Sequence, residues 1–133
     1  SPEVRQPLID KFVRAKTADE ARQVITELTN LLPTEIHHMM TNKGIWGPRF
    51  AALLKKAGID FNLDDVANKI DLPGHLGKHI SEYHQWIYGQ VETALAGKSG
   101  DEALQALLGV LKKIRDALEQ NPRLPYIEGG LRL

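Results

Sequence analysis

The sequence contains no cysteine, and this absence excludes several kinds of chemistry. Disulfide frameworks, thiolate metal sites and cysteine nucleophiles all need the missing thiol. Metal binding and acid–base catalysis would therefore have to use histidine and carboxylate side chains. The chain has only five histidines, so their positions can be examined one by one.

An excess of charge of one sign is also absent, because 17 Lys and Arg side chains balance 17 Asp and Glu side chains. Such a protein has no long-range field to steer it toward nucleic acid or an anionic membrane. A polyanionic partner would have to be held by local contacts. No apolar run approaches the ~20 residues that span a bilayer, and no membrane partner is predicted.

Length and hydrophobic content predict one compact domain. A chain of 133 residues that is 42% hydrophobic can build one core but is short for two ordinary domains. We therefore predict a single domain over residues 1–133, with N-terminal helices at 1–32, a central core at 33–96, and a C-terminal helix with an extended tail at 97–133.

Helical periodicity dominates the N-terminal part. Thr17 and Glu20 have the spacing of a capping box, and apolar residues follow at intervals of three and four until Pro33. A shorter helix is predicted before this one, from about Pro7 to Ala15.

A second capping-box spacing, Ser99 and Glu102, predicts a long helix near the C-terminus that ends before Pro122. Its apolar stripe is predicted to face the core. The stripe consists of Leu104, Leu107, Leu108, Leu111, Ile114 and Leu118. The tail after Pro122 contains a second proline and a Gly-Gly pair, which favour an extended conformation.

The centre of the chain combines helices with two short segments of weaker pattern. Glu35–Met40 and Val66–Leu72 are predicted to pair as a small β-ribbon. A helix from Pro48 to about Ala57 lies between them, with Gly58 as its stop. The predicted fold class is therefore mainly α with a small β-hairpin.

The next predicted helix carries His75 and His79 in its first turn. Residues four apart on a helix lie on the same face, so the two imidazoles can converge on one point. Neutral imidazole binds zinc, nickel or cobalt at ~2 Å. Catalytic sites typically take three protein ligands and keep one position open. The pair thus predicts part of a metal site.

His37 and His38 are adjacent in the sequence and suit two different roles. His37 is the candidate third ligand, while His38 stays beside the ion and can remove a proton from water. Because adjacent residues point to opposite faces of a flat strand, these roles require the strand to end or bend at the pair.

The spacing alone leaves two alternatives open. In one, the chain is a purely helical interaction domain without metal, in which the termini bind a partner and the histidines are ordinary surface residues. In the other, the chain is a metal-stabilised module without catalysis, whose fourth ligand is His84 or a carboxylate. His84 is otherwise predicted to be a structural or rim contact, and Tyr83 and Trp86 to be core or rim residues.

Three sequence blocks lie in the centre of the chain. IHHMMTNKG, RFAALLKKAGID and LPGHLGKHISEYH occur in this order within residues 34–95. Together they resemble the AHH family of the HNH/endonuclease VII nuclease superfamily, although Ile36 stands at the alanine of Ala-His-His. The resemblance implies a ββα-metal core, HNH-like, surrounded by additional helices. The colicin DNases look similar in using a His-His pair.

The resemblance also implies residue roles. His37, His75 and His79 would bind one divalent ion, and His38 would be the general base for phosphodiester hydrolysis. Zinc is the expected bound ion, with magnesium, nickel or manganese as alternatives for the active one. Lys43 and Arg49, in the loop after the pair, are candidates to hold phosphates of the substrate.

Further expectations about partners follow from the resemblance. DNA is the expected substrate, with RNA as the alternative. Family members are often toxic C-terminal domains of secreted bacterial proteins used in competition. We therefore expect delivery from the producing bacterium by a secretion system, action in the target-cell cytoplasm, and a cognate immunity protein. The sequence does not set the oligomeric state.

Overall fold

The computed structural model of the protein describes residues 2–31, 34–73 and 79–126. Within these ranges the chain is mostly helical, with one two-stranded sheet, which confirms the predicted α+β class. The elements in chain order are α1 Pro2–Arg14, α2 Ala18–Leu31, β1 Thr34–His38, α3 Trp46–Lys56, β2 Lys69–Pro73, α4 Ser81–Leu95 and α5 Gly100–Gln120. None of the described helices is both long and apolar enough to cross a membrane.

The described residues belong to two compact units. The first unit draws on Ser1–Ile36, Asp71–Tyr83 and Asp116–Leu133, and the second on His37–Ile70 and His84–Arg115. The organisation of the chain as a single domain stays a prediction.

The core of the first unit lies where α1 packs against α2. Burial of each large apolar side chain contributes ~1.5–3 kcal/mol, so a few such residues hold the helix pair together. The buried cluster consists of Phe12, Ala15, Ala21, Val24 and Leu28, with Leu8, Ile9, Ile25 and Tyr126 packed against it.

The predicted capping box of α2 is present with one difference. The Glu20 amide donates to the Thr17 hydroxyl oxygen at 3.1 Å, as expected of an N-cap threonine. The Glu20 carboxylate, however, accepts from the Lys16 amide at 3.0 Å rather than from that of Thr17. The helix start was thus correctly predicted from the sequence.

Two helices begin earlier than predicted. α1 begins at Pro2, and Pro7 lies inside it. Pro7 has no amide hydrogen and so removes one hydrogen bond of the helix, but the helix continues past it. α3 begins at Trp46, two residues before Pro48, and ends at Lys56. Its predicted stop is confirmed, since Gly58 has a φ of 71° and its amide donates to the Lys55 carbonyl at 2.9 Å.

The predicted β-ribbon is confirmed with shifted ends. β1 pairs with β2 in an antiparallel sheet. Met39 and Met40 leave the strand and are fully buried. Val66–Asn68 forms a short 3-10 helix before β2, and the Asp65 carboxylate caps it by accepting from the Ala67 amide at 2.9 Å.

The predicted start of the fourth helix is wrong. α4 begins at Ser81, so His79 precedes the helix instead of lying in its first turn, and His75 lies outside the described residues. The Ile80 amide donates to the Pro125 carbonyl at 2.8 Å, which holds this part of the chain in a non-helical conformation. The argument that two histidines share one helical face therefore does not apply.

The long C-terminal helix is confirmed, but its buried stripe differs in part. Leu107, Leu111, Ile114 and Leu118 are buried, whereas Leu104 is half-buried and Leu108 is 37% exposed. After α5, residues 122–126 form consecutive turns rather than the predicted extended segment. Leu124 is fully buried there. Residues 127–133 lie outside the described part.

Candidate functional site

The His-His pair lies at the end of β1. His37 and His38 are the last two residues of the strand, so β1 ends at the pair, and the separate roles of the two histidines stay a prediction. Both side chains are half-buried, and Nε2 of His37 is shielded from water. The two methionines that follow are fully buried and anchor the chain directly after the pair.

Asn68 fixes the loop that follows the pair. Its side-chain oxygen accepts from the Met40 amide at 2.8 Å, and its side-chain nitrogen donates to the carbonyls of Met40 at 2.9 Å and Leu63 at 2.8 Å. Its own carbonyl accepts from the Met39 amide at 2.8 Å. Asn68 is fully buried, so these bonds are shielded from competing water. Sequence reasoning missed this residue, because a lone asparagine before a strand gives no signal of burial.

His38 has a carboxylate partner that sequence reasoning also missed. Nε2 of His38 lies 2.6 Å from Oδ1 of Asp64. The His38 side chain is 22% exposed and that of Asp64 is 61% exposed, so water reaches the pair. The run of Asn and Asp at residues 62–65 signals a turn, but does not reveal which carboxylate faces the histidine.

His79 lies between two tyrosines of the first unit. Its ring centroid is 5.1 Å from that of Tyr83 and 5.2 Å from that of Tyr126, with interplanar angles of 81° and 74°. These edge-to-face contacts fix the plane of the imidazole. His79 is half-buried, and its Nε2 is shielded from water.

Burial dominates the electrostatics of these tyrosines. It raises the pKa of Tyr83 far above its usual value, with a further contribution from Tyr126. Burial, reinforced by the Glu35 carboxylate, raises the pKa of Tyr126 to about 12. Both hydroxyl groups therefore stay neutral around His79 at physiological pH.

Lys43 and Arg49, the two predicted phosphate contacts, are both exposed. Lys43 lies in the loop after the pair as predicted, whereas Arg49 lies in α3 and not in the loop. The Lys43 carbonyl accepts from the Gly47 amide at 3.0 Å, which holds its backbone at the start of α3. The Arg49 guanidinium lies 4.9 Å from the centre of the Trp46 ring, a cation–π contact. Contact of either residue with phosphate stays a prediction.

His84 packs in the second unit, beside Trp46. The two ring centroids are 6.3 Å apart, and burial lowers the pKa of His84 below its usual 6.5. A half-buried, neutral imidazole on an aromatic ring is consistent with the predicted structural role. Tyr83 is buried and Trp86 half-buried, in agreement with core or rim positions.

The histidines that the structure describes have the chemistry of metal ligands. His37 and His79 each present an imidazole nitrogen that is shielded from water, and neutral imidazole is a common zinc ligand. Among the described residues, no three His, Cys, Asp or Glu side chains form a group that could hold an ion. His75 is not among them, so the site of His37, His75 and His79 stays a prediction.

Comparison with known protein families decides the class of the protein. The profile of the AHH family, a nuclease family of the HNH/ENDO VII superfamily with conserved AHH, matches residues 27–118, more than half of the chain. The chain belongs to the AHH family. Membership makes this AHH protein a nuclease of the HNH/ENDO VII superfamily and implies that it binds nucleic acid.

The family match is broader than the three sequence blocks suggest. It includes the end of α2 and nearly all of α5, so these helices belong to the AHH protein's family region. Ile36 at the first position of the motif is 64% exposed, so the larger side chain needs no space in the core. Searches of curated proteins and of solved structures find no match to this AHH protein.

Proposed function

We propose that this AHH protein is a metal-dependent endonuclease that hydrolyses phosphodiester bonds of DNA. The observation that carries the proposal is the family match across a chain whose His-His pair ends a strand. DNA is preferred over RNA because the pair also resembles that of the colicin DNases.

His38 acts as the general base. At 22% exposure its side chain is accessible to a water molecule, and the buried methionines after it limit movement of the backbone. A positioned general base contributes ~10²–10⁴-fold to such a reaction. Loss of this imidazole should therefore reduce the rate by a similar factor.

His37, His75 and His79 are the proposed ligands of one divalent ion, with zinc as the expected occupant. When bound, the ion supplies Lewis-acid stabilisation of charge on the phosphate and the leaving oxygen. Tyr83 and Tyr126 hold the plane of the His79 ring. Orienting a ligand ring in this way reduces the reorganisation that binding requires.

Lys43 and Arg49 hold phosphates that flank the scissile bond. With 17 basic and 17 acidic residues, the chain as a whole does not attract a polyanion. Local contacts then bind the substrate phosphates. The contact with Trp46 restricts the rotamers of Arg49. Contacts to phosphate carry no sequence information, so cleavage should tolerate many sequences.

The biological role in this proposal is that of a toxic effector domain in bacterial competition. The domain would be delivered by a secretion system and act in the cytoplasm of the target cell. The producing bacterium would make a cognate immunity protein. Support comes from the toxin context of similar family members.

Plasmid cleavage tests the proposed activity. Purified protein should nick and linearise supercoiled plasmid, lose this activity in chelator, and regain it when zinc, magnesium, manganese or nickel is added back. Parallel reactions on a structured RNA compare the two substrates. Cleavage that is unaffected by chelator would refute the metal requirement, and preferential cleavage of RNA would refute the choice of DNA.

A further inference from the structure

The short contact between His38 and Asp64 contributes little to folding. The Asp64 side chain is 61% exposed and that of His38 is 22% exposed, so solvent screens the pair, and screened ion pairs and hydrogen bonds add little to stability. The two atoms are nevertheless only 2.6 Å apart, across 26 residues of sequence. A contact with little effect on stability, made to the proposed base, suggests a catalytic purpose.

The backbone on both sides of this contact is held by one buried residue. Asn68 bonds to both backbone polar groups of Met40, two residues after His38. It also bonds to the carbonyl of Leu63, the residue before Asp64. The Asp64 amide donates to the Asn62 side chain at 2.8 Å, which fixes the turn further. The segments that carry His38 and Asp64 are therefore linked rigidly, and both lie in the second unit.

We propose that Asp64 is a positioning residue that sets the tautomer of His38. A carboxylate is only an acceptor, so the nitrogen that faces it, Nε2, must carry the hydrogen. In the neutral ring, Nδ1 then holds the lone pair and is the nitrogen that accepts a proton from water. This role rests on the proposed nuclease function. It adds to that function the assignment of Nδ1 of His38 as the atom that accepts the proton.

The reaction step balances without any further reactant. As Nδ1 takes a proton from water, the O–H electron pair stays on oxygen and forms the new bond to phosphorus. The bond from phosphorus to the leaving oxygen breaks, and that oxygen departs with the electron pair and takes a proton from solvent. Asp64 keeps its carboxylate on Nε2–H throughout and does not touch the substrate.

Kinetics on supercoiled plasmid test this role with matched variants. Asp64→Ala should lower kcat by at least ~10-fold but by no more than the ~10²–10⁴-fold expected for loss of the base, with KM unchanged. Asp64→Glu should recover part of the lost rate because it restores an acceptor. Asp60→Ala removes an exposed carboxylate from the same loop and should leave the rate unchanged.

A double-mutant cycle separates positioning from a structural effect. If Asp64 acts through His38, Asp64→Ala should have no further effect in the His38→Ala background. An equal rate loss in both backgrounds would overturn the proposal. So would an Asp64→Ala rate no lower than that of Asp60→Ala.

Nitrogen NMR tests the tautomer independently of cleavage. At pH 8, ¹⁵N-labelled wild type should show His38 with hydrogen on Nε2, and Asp64→Ala should shift the population toward the Nδ1–H form. If the wild type does not cleave DNA, the nuclease proposal fails, while this spectrum still decides the positioning. A wild-type ring with hydrogen on Nδ1 would overturn the assignment.

Discussion

At the scale of single residues, Asn68 is tightly constrained beside the His-His pair. It uses both amide hydrogens and its carbonyl oxygen on backbone groups that are close together only in the folded chain. Since it lies 28 residues from Met40, the hydrogen bonds close a long loop. They keep the end of β1 beside the turn that carries Asp64.

Replacement of Asn68 should destabilise the protein strongly. Asn68→Ala leaves buried backbone groups without partners, at ~1–3 kcal/mol each, so we expect the free energy of unfolding to fall by at least ~2 kcal/mol. Urea denaturation followed by circular dichroism measures the change. Asn42→Ala, at an exposed position of the loop after the His-His pair, should change stability by less than ~0.5 kcal/mol. Equal stabilities of the two variants would contradict this role.

The sequence indicates the pair of histidines but not the residues that contact His38 or hold the backbone next to it. Adjacent histidines are visible in any sequence, and the break they require in β1 could be stated in advance. Asp64 and Asn68 are identified only by contacts across 26 and 28 residues, which no local pattern encodes. Tyr126 was missed beside His79 for the same reason.

At the scale of elements, the start of α3 is set by a close approach of backbones. A Cβ atom at Gly47 would lie 2.6 Å from both the carbonyl carbon and the carbonyl oxygen of Asn42. Both atoms belong to the backbone of Asn42, so no side-chain rotation can make room for the added Cβ atom. Glycine at this position therefore lets the loop after the pair fold back onto α3.

A pair of glycine substitutions tests this packing. Gly47→Ala should destabilise the protein by ~1–3 kcal/mol, because the added methyl group forces the backbone to shift. Gly109→Ala, in α5 with nothing within 4 Å, should stabilise it by ~0.5–1 kcal/mol through better helix propensity. Thermal unfolding of both variants gives the comparison. A Gly47→Ala protein as stable as Gly109→Ala would contradict the close approach.

Helices were predictable where local chemistry determines them. The threonine cap of α2 and the glycine stop of α3 follow from side-chain and backbone properties within one turn. The predicted start of α4 was wrong, because the Ile80 amide donates a hydrogen bond to the carbonyl of Pro125, a residue far along the chain. Residues 122–126, the described part of the tail, form turns and are not extended as predicted. At Ile80 a long-range hydrogen bond overrode the local pattern, whereas the turns after α5 are closed by local bonds from the Leu124 amide to the Asn121 carbonyl and from the Tyr126 amide to the Arg123 carbonyl.

At the scale of the whole molecule, alkaline unfolding should reflect the buried tyrosines. The pKa of Tyr126 is about 12 in the folded state and near 10 when the chain unfolds. The folded state thus favours the neutral phenol, and this contribution is complete below pH 10 and lost as the pH rises through 12. Burial raises the pKa of Tyr83 in the same direction.

Tyr126→Phe should weaken this pH dependence. The variant has no hydroxyl to ionise at this position, so its free energy of unfolding should fall less between pH 9 and pH 11.5 than that of the wild type. Urea titrations at both pH values measure the difference. An identical loss in the two proteins would show that Tyr126 ionises equally in the folded and unfolded states.

The most direct test of the proposed function compares His37→Ala with His38→Ala for bound metal per chain and for plasmid cleavage in the same buffer. His37→Ala should lose both metal and activity, because a ligand is missing. His38→Ala should keep the metal and cleave ~10²–10⁴-fold more slowly than the wild type. Loss of metal in His38→Ala with retention in His37→Ala would exchange the two roles. Wild-type cleavage by both variants would contradict the assignment of this pair as the centre of a nuclease.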